Sequence, residues 1–235
     1  MLLPDAKIIR LDADSTSEKF AMDELLGKFK SGEADLLLGT QMVTKGHDFP
    51  RVTLVGVLLA DMSLYLDDYR ANERTFSMLT QVIGRAGRSK KKGKAIIQTT
   101  NPDNDTIRLA CRQDYEAFFN SEIRLRKALV FPPYCDVALL TLTSADEKQA
   151  LHGAKRLRET LDKLARTEYS DVQMIVFGPF ESPVYKVDGK YRMRLVVKCR
   201  LNKRSRALFA TLLTDFSKGS RDQVTLAVDF NPSGL

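Results

Sequence analysis

Short apolar runs alternate with amphipathic stretches through the first hundred or so residues of the chain: "KIIRL", then Ser17 to Lys30, "ADLLLGT", "VTLVGVLLA", Glu73 to Ile83 and "GKAIIQTT". Runs this short, interleaved with helical periodicity, read as strands of a parallel α/β sheet, because parallel neighbours need a long crossover that a helix supplies. The pattern then changes. Between about Asn104 and Lys127 a helical stretch carries Tyr115, Phe118, Phe119 and Ile123 at roughly helical spacing, and "FPPY" at 131–134 ends it. Two adjacent prolines cannot continue a helix, so they mark a boundary. The expected organisation is an α/β lobe over residues 1–103, a connecting helix and linker over 104–134, and a second domain over 135–235.

In that second domain the order is a strand "DVALLTLTS" and a long helix from Asp146 to Arg166 with Ala150, Ala154, Leu157, Leu161 and Leu164 on one face. A strand "VQMIVFG" follows, then a hairpin at Val187 to Lys190, where Asp-Gly suits a tight turn with positive φ. A strand from Lys190 to Cys199, a helix from Lys203 to Ser217 and a last strand "QVTLAVDF" complete it. The sum is β-α-β-β-α-β, the split pattern of ferredoxin-like and related small α+β sheets.

The formal net charge of +7 is compatible with an anionic partner or with solubility alone, but its distribution is uneven. From Lys186 to Arg206 there are nine Lys or Arg against one acid, Asp188. On a strand alternate side chains share a face, so Lys190, Arg192, Arg194, Lys198 and Arg200 are expected to point one way and Tyr191, Met193, Leu195, Val197 and Cys199 into the core. A basic sheet face of this kind suits a nucleic-acid backbone or an acidic peptide. Cys111, Cys135 and Cys199 are far apart, with no C-x-x-C pair, so neither a metal site nor a disulfide framework is written here. No run approaches a membrane span and "MLLPDAKIIR" lacks the apolar core of a signal peptide, so a cytoplasmic location is expected. That start also reads directly as a buried strand, as if the sequence begins inside a larger protein.

Two short segments carry chemistry. "QVIGRAGR" places Arg85 and Arg88 three residues apart among glycines, where two rigid guanidinium forks can grip phosphate oxygens from one side. Upstream, "GTQMVTKGHDFP" follows the strand Asp35 to Leu38, placing Thr40, Lys45, Gly46 and Asp48 in a loop at a strand's C-terminal end, where open α/β sheets bind ligands.

These segments resemble motifs V and VI of the second RecA-like lobe of superfamily 2 helicases. With "DDYRANERTFSMLTQVIGRAGR", "FPPY" and the closing "VDFNP", the resemblance extends nearly end to end to the PriA family of bacterial replication-restart helicases. It implies an ATP-dependent 3′ to 5′ DNA helicase that recognises stalled or abandoned forks and initiates primosome assembly. Arg85 and Arg88 would reach the γ-phosphate of ATP bound by the other lobe, and Gln81 would position their motif. Gly46 and Asp48 would couple nucleotide to the interlobe cleft, and Thr40 and Gln41 would lie near the DNA track. Implied partners are branched and single-stranded DNA, other primosome proteins and the acidic tail of single-stranded DNA-binding protein, with Arg204 and Arg206 as candidates for the tail.

The sequence holds no G-x-x-x-x-G-K-[ST] phosphate loop and no acidic magnesium motif, so ATP and Mg would be held mainly by a first lobe and this chain alone is expected to be inactive. The family's zinc module is likewise absent, which fits a C-terminal fragment starting past it. Lys45 and His47 can equally be ordinary loop residues, and Lys90, Lys91, Lys92 and Lys94 a solvated run. Arg70, Glu73 and Arg74 can form surface ion pairs. Two rival readings remain open: a basic, non-enzymatic adaptor, and another superfamily 2 translocase that would lack the C-terminal sheet.

Overall fold

A computed structural model describes residues 4–11, 21–40, 49–86, 93–219 and 224–234. The chain divides into two compact units, Met1–Glu122 and Ile123–Leu235.

In the first unit the apolar runs form parallel strands. β1 (Ile8–Leu11) pairs with β2 (Leu36–Gly39), and β3 (Leu54–Val57) pairs with β4 (Lys94–Ile97). Each pair brackets one helix, α1 (Ala21–Ser31) or α2 (Ala71–Ile83), as a parallel crossover requires. Among the described residues the two pairs are separate sheets, not one continuous sheet. Asp23 and Glu24 open α1 while Lys28 and Lys30 close it, opposing the helix dipole at both ends. Leu26 then packs with Leu11 and Phe49, and α2 buries Phe76 and Leu79 against Ala60, Ile107, Ala110 and Phe118.

The helical stretch expected over 104–127 is two helices, α3 (Asp105–Arg112) and α4 (Tyr115–Ala128). Gln113 takes a left-handed conformation, φ 55°, which ends α3. The Asp114 carboxylate then accepts the Ala117 amide at 3.0 Å and starts α4. Asn104 does the same for α3, accepting from the Ile107 amide at 3.3 Å.

The second unit runs β5 (Asp136–Ser144), α5 (Glu147–Arg166), β6 (Met174–Val187), β7 (Lys190–Cys199), α6 (Lys203–Gly219), β8 (Val224–Phe230). Its four strands form an antiparallel sheet in the order β6-β7-β5-β8. One face holds the main core, where Ala150, Ala154, Leu157 and Leu161 of α5 and Leu208, Phe209 and Leu212 of α6 meet Leu140, Leu142, Leu195 and Val197. Asp146 caps α5 by accepting the Gln149 amide at 2.8 Å. Asp188 and Gly189, at φ 49° and 76°, make the two-residue turn between β6 and β7. The strand read as "VQMIVFG" continues to Val187, because two irregularities, between Phe177 and Phe180 and between Glu181 and Lys186, let it bend without leaving the sheet.

Candidate nucleotide and nucleic-acid interfaces

The arginine motif leaves the C-terminal end of α2. Gln81 is exposed on the last turn, its side-chain amide donating to Ser77 Oγ at 3.2 Å. The chain then tightens: the amides of Arg85 and Ala86 donate to the carbonyls of Val82 and Ile83 at 3.0 and 3.1 Å. Arg85 is thereby fixed half-buried on this closing turn, with its Nε enclosed. Thr40 is exposed immediately beyond β2, at that strand's C-terminal end. Gln41, Lys45, Gly46, His47, Asp48, Arg88 and Lys90 to Lys92 lie outside the described residues.

Asp61, which was not singled out by the sequence, gathers several donors in this unit. It is buried beyond the C-terminal end of β3 and accepts from both hydroxyls of Thr99 and Thr100, the latter at 2.6 Å, and from the Thr100 amide at 2.8 Å. These donors, Thr100 foremost, hold its carboxyl below the usual range. Asp61 therefore ties the loop after β3 to the loop after β4 at the sheet edge where open α/β folds place ligands. The residues of "YRANER" are also tied inward: Arg70 and Arg74 both reach the Asp68 carboxylate, at 3.4 and 3.1 Å.

In the second unit the basic residues of β7 do not form one open face. Arg194 and Lys198 are each only 8% exposed, while Arg192 is intermediate and Lys190 and Arg200 are exposed. The segment before β5 covers part of the face. Lys198 Nζ donates to the Leu129 carbonyl at 2.8 Å and lies 3.4 Å from the Phe131 ring centroid and 5.2 Å from that of Phe177. Burial pushes its pKa down. Arg200 donates to the Pro133 carbonyl at 3.1 Å. Burial likewise raises the Cys199 thiol to about 11, which leaves it inert at neutral pH.

Arg204 and Arg206, at the start of α6, are both exposed but differently engaged. Arg204 Nε donates to both Asp171 oxygens at 3.1 Å, its Nη2 donates to the Glu168 carbonyl, and its guanidinium lies 4.5 Å over Tyr169. Arg206 rests 5.5 Å from the Phe230 ring. Among the described residues no cluster of three His, Cys, Asp or Glu could hold a metal ion, and no helix is long and apolar enough to cross a membrane.

Residues 127–233 match the family model of the Primosomal protein N C-terminal domain, and residues 2–90 that of the Helicase conserved C-terminal domain. The replication restart protein PriA of Bacillus subtilis is 39% identical over 232 residues, 98% of this chain and 28% of that protein. The chain belongs to the PriA family. Replication restart proteins PriA of Synechocystis and Haemophilus influenzae are 38% and 32% identical, over 83% and 100% of this chain and 23% and 31% of their own lengths. The chain thus spans less than a third of these PriA relatives. Among solved structures, a de novo designed protein, Foldit4, aligns at a TM-score of 0.30 and 13% identity over 42% of this chain and 98% of its own, too distant to bear on the fold.

For this PriA-family chain the helicase match covers both motif segments, and the primosomal match covers the whole antiparallel sheet. Asp61 could have been suspected from the sequence only by pairing the end of "VTLVGVLLAD" with "TTN" at 99–101, which needs the β3–β4 register in hand.

Proposed function

We propose that this chain forms part of an ATP-dependent 3′ to 5′ DNA helicase that acts at stalled or abandoned replication forks and initiates primosome assembly. The observation that carries the reading is the placement of Gln81 to Ala86, the described part of "QVIGRAGR", on the last turn and exit of α2, within a parallel α/β unit matched by a helicase C-terminal family model. Arg85 and Arg88 complete the nucleotide site in this reading. Phosphoryl transfer is catalysed largely by positioning and charge stabilisation, which is what a guanidinium held on a fixed turn supplies.

The side chains present fit a completing role and not a holding one. ATP and Mg call for a phosphate loop and an acidic ligand set, and the sequence has neither, so a first lobe would bind them. In this reading Gln81 supports the arginine turn, Gly46 and Asp48 couple nucleotide to the interlobe cleft, and Thr40 and Gln41 lie near the DNA track. The second unit serves branched and single-stranded DNA through Lys190 and Arg192, the accessible basic residues of β7 beside the buried Arg194, and the acidic tail of single-stranded DNA-binding protein through the start of α6. There Arg206 suits a partner better than Arg204, which is already tied to Asp171. Other primosome proteins and a cytoplasmic setting belong to the same reading, and the primosomal match over 127–233 supports it over a translocase without this sheet.

The test is made in the full-length protein that carries a phosphate loop. Arg88→Ala is expected to reduce DNA-stimulated ATP hydrolysis by about 10³-fold or more while DNA affinity stays within about twofold. Wild-type turnover in that variant refutes the finger assignment.

A further inference from the structure

The sheet face opposite α5 and α6 carries a feature that basic charge does not explain. Ile175, Phe177 and Phe180 of β6 are 45, 40 and 45% exposed. In the antiparallel register they lie opposite Lys198, Val196 and Arg194 of β7, so they share a face with the basic row. Beyond that row, Thr141 and Thr143 of β5 stand opposite Arg194 and Arg192, and Ala227 and Thr225 of β8 continue the lines. Along the line of Phe180 the face runs from an exposed aromatic ring through Arg194 to Thr141 and Ala227, whereas along the line of Phe177 it runs to Val196 and Leu139, which pack with Cys135 and Val137. Asp229 is an exposed acid at the β8 edge.

The aromatic row is built, not incidental. The register shifts between Phe177 and Phe180, so the strand there loses regular pairing. Gly178 occupies the irregularity at φ +97°, and a Cβ on it would come 2.8 Å from the Arg194 carbonyl oxygen. From the other side of the sheet Arg158 Nη1 donates to the carbonyls of Val176 and Gly178 at 3.1 and 2.9 Å. Its Nε is held by both Asp162 oxygens at 3.0 and 2.9 Å. Two phenylalanines only three residues apart thereby come to the same face, which an unbroken strand, with its period of two, forbids.

We infer that this face stacks unpaired bases of single-stranded nucleic acid on Phe177 and Phe180, with Arg192 and the exposed Lys190 further along the same face of β7 for the phosphates. An exposed aromatic pair beside a cationic row is how open sheets hold single strands, since every base offers a π-face and every nucleotide a charge. An acidic peptide would use the cations but has no general use for two ring faces. The inference rests on the nucleic-acid reading of the second unit and is independent of the arginine finger.

The probe is a dT oligomer of about 12 nucleotides, compared with an abasic oligomer of equal length and charge, binding the 235-residue chain by fluorescence anisotropy across a salt series. Phe177→Leu and Phe180→Leu keep apolar bulk and remove the rings, so they remain informative if the Ala variants fail to fold. Each Leu variant is expected to weaken dT binding about tenfold and leave abasic binding and the salt slope unchanged. Wild-type dT affinity in both variants, equal losses on dT and abasic oligomers, or no binding of dT by the wild-type chain at low salt would each overturn the inference. Weakened binding of polyglutamate with dT binding intact would overturn it in favour of a peptide site. Forked duplex DNA is measured in parallel: salt-sensitive fork binding that persists when the stacking prediction fails leaves the broader DNA reading standing.

Discussion

Replacing Gly178 by alanine separates two effects that a second glycine in the same hairpin keeps apart. Gly178 has φ +97° and its Cβ would sit 2.8 Å from the Arg194 carbonyl oxygen, a backbone atom of the inner strand β7 that cannot swing aside. Gly189 has φ +76° and nothing within 4 Å of its Cβ position. Left-handed backbone at a non-glycine residue costs about 1 kcal/mol or somewhat more at either site. Overpacking against an immobile neighbour adds about 1–3 kcal/mol at Gly178 alone. Gly189→Ala is therefore expected to destabilise the second unit by about 1 kcal/mol and Gly178→Ala by about 2–4 kcal/mol. Native-state hydrogen exchange read on the β5 and β7 amides reports this unit by itself, and the larger loss corresponds to exchange faster by about 30- to 1,000-fold. Equal effects of the two substitutions would refute the close-approach argument, and with it the account of how β6 is bent.

Asp61 gives a pH prediction for the first unit. Its folded carboxyl lies below the ordinary value, so its contribution is present above the unfolded carboxylate pKa of about 4 and is lost as pH falls through the lowered folded value. Asp61→Asn is expected to weaken protection of the β3 and β4 amides at neutral pH, with the gap to wild type narrowing below about pH 4; a gap constant with pH would refute it. At the start of α6, Arg204→Ala is expected to cost at most about 1 kcal/mol, because its ion pair is half-exposed, and to change acidic-tail binding little. Arg206→Ala is expected to leave thermal stability unchanged and weaken the tail peptide about tenfold, which titration calorimetry measures; the reverse pattern would exchange their roles.

The sequence by itself determined the local elements and the family. Apolar runs too short for helices, bracketed by helical periodicity, sufficed for β1 to β4, and the Asp-Gly pair located the turn between β6 and β7, because these signals act within a few residues. The local placement of Gln81 and Arg85 was legible for the same reason, since they are neighbours along one helix end. Tertiary structure decided what depends on partners distant in the chain. Alternation assigned Arg194 and Lys198 to the basic face, but not their burial, which comes with a central place in the sheet and, for Lys198, from Leu129 and Phe131 packed over its side chain. Nor could it show that Arg204 is held by Asp171, that Asp61 gathers Thr99 and Thr100, or that Arg158 reaches the carbonyls of a bent β6. Side-chain period along a strand is local geometry, whereas burial and pairing are set by whatever the rest of the fold brings alongside.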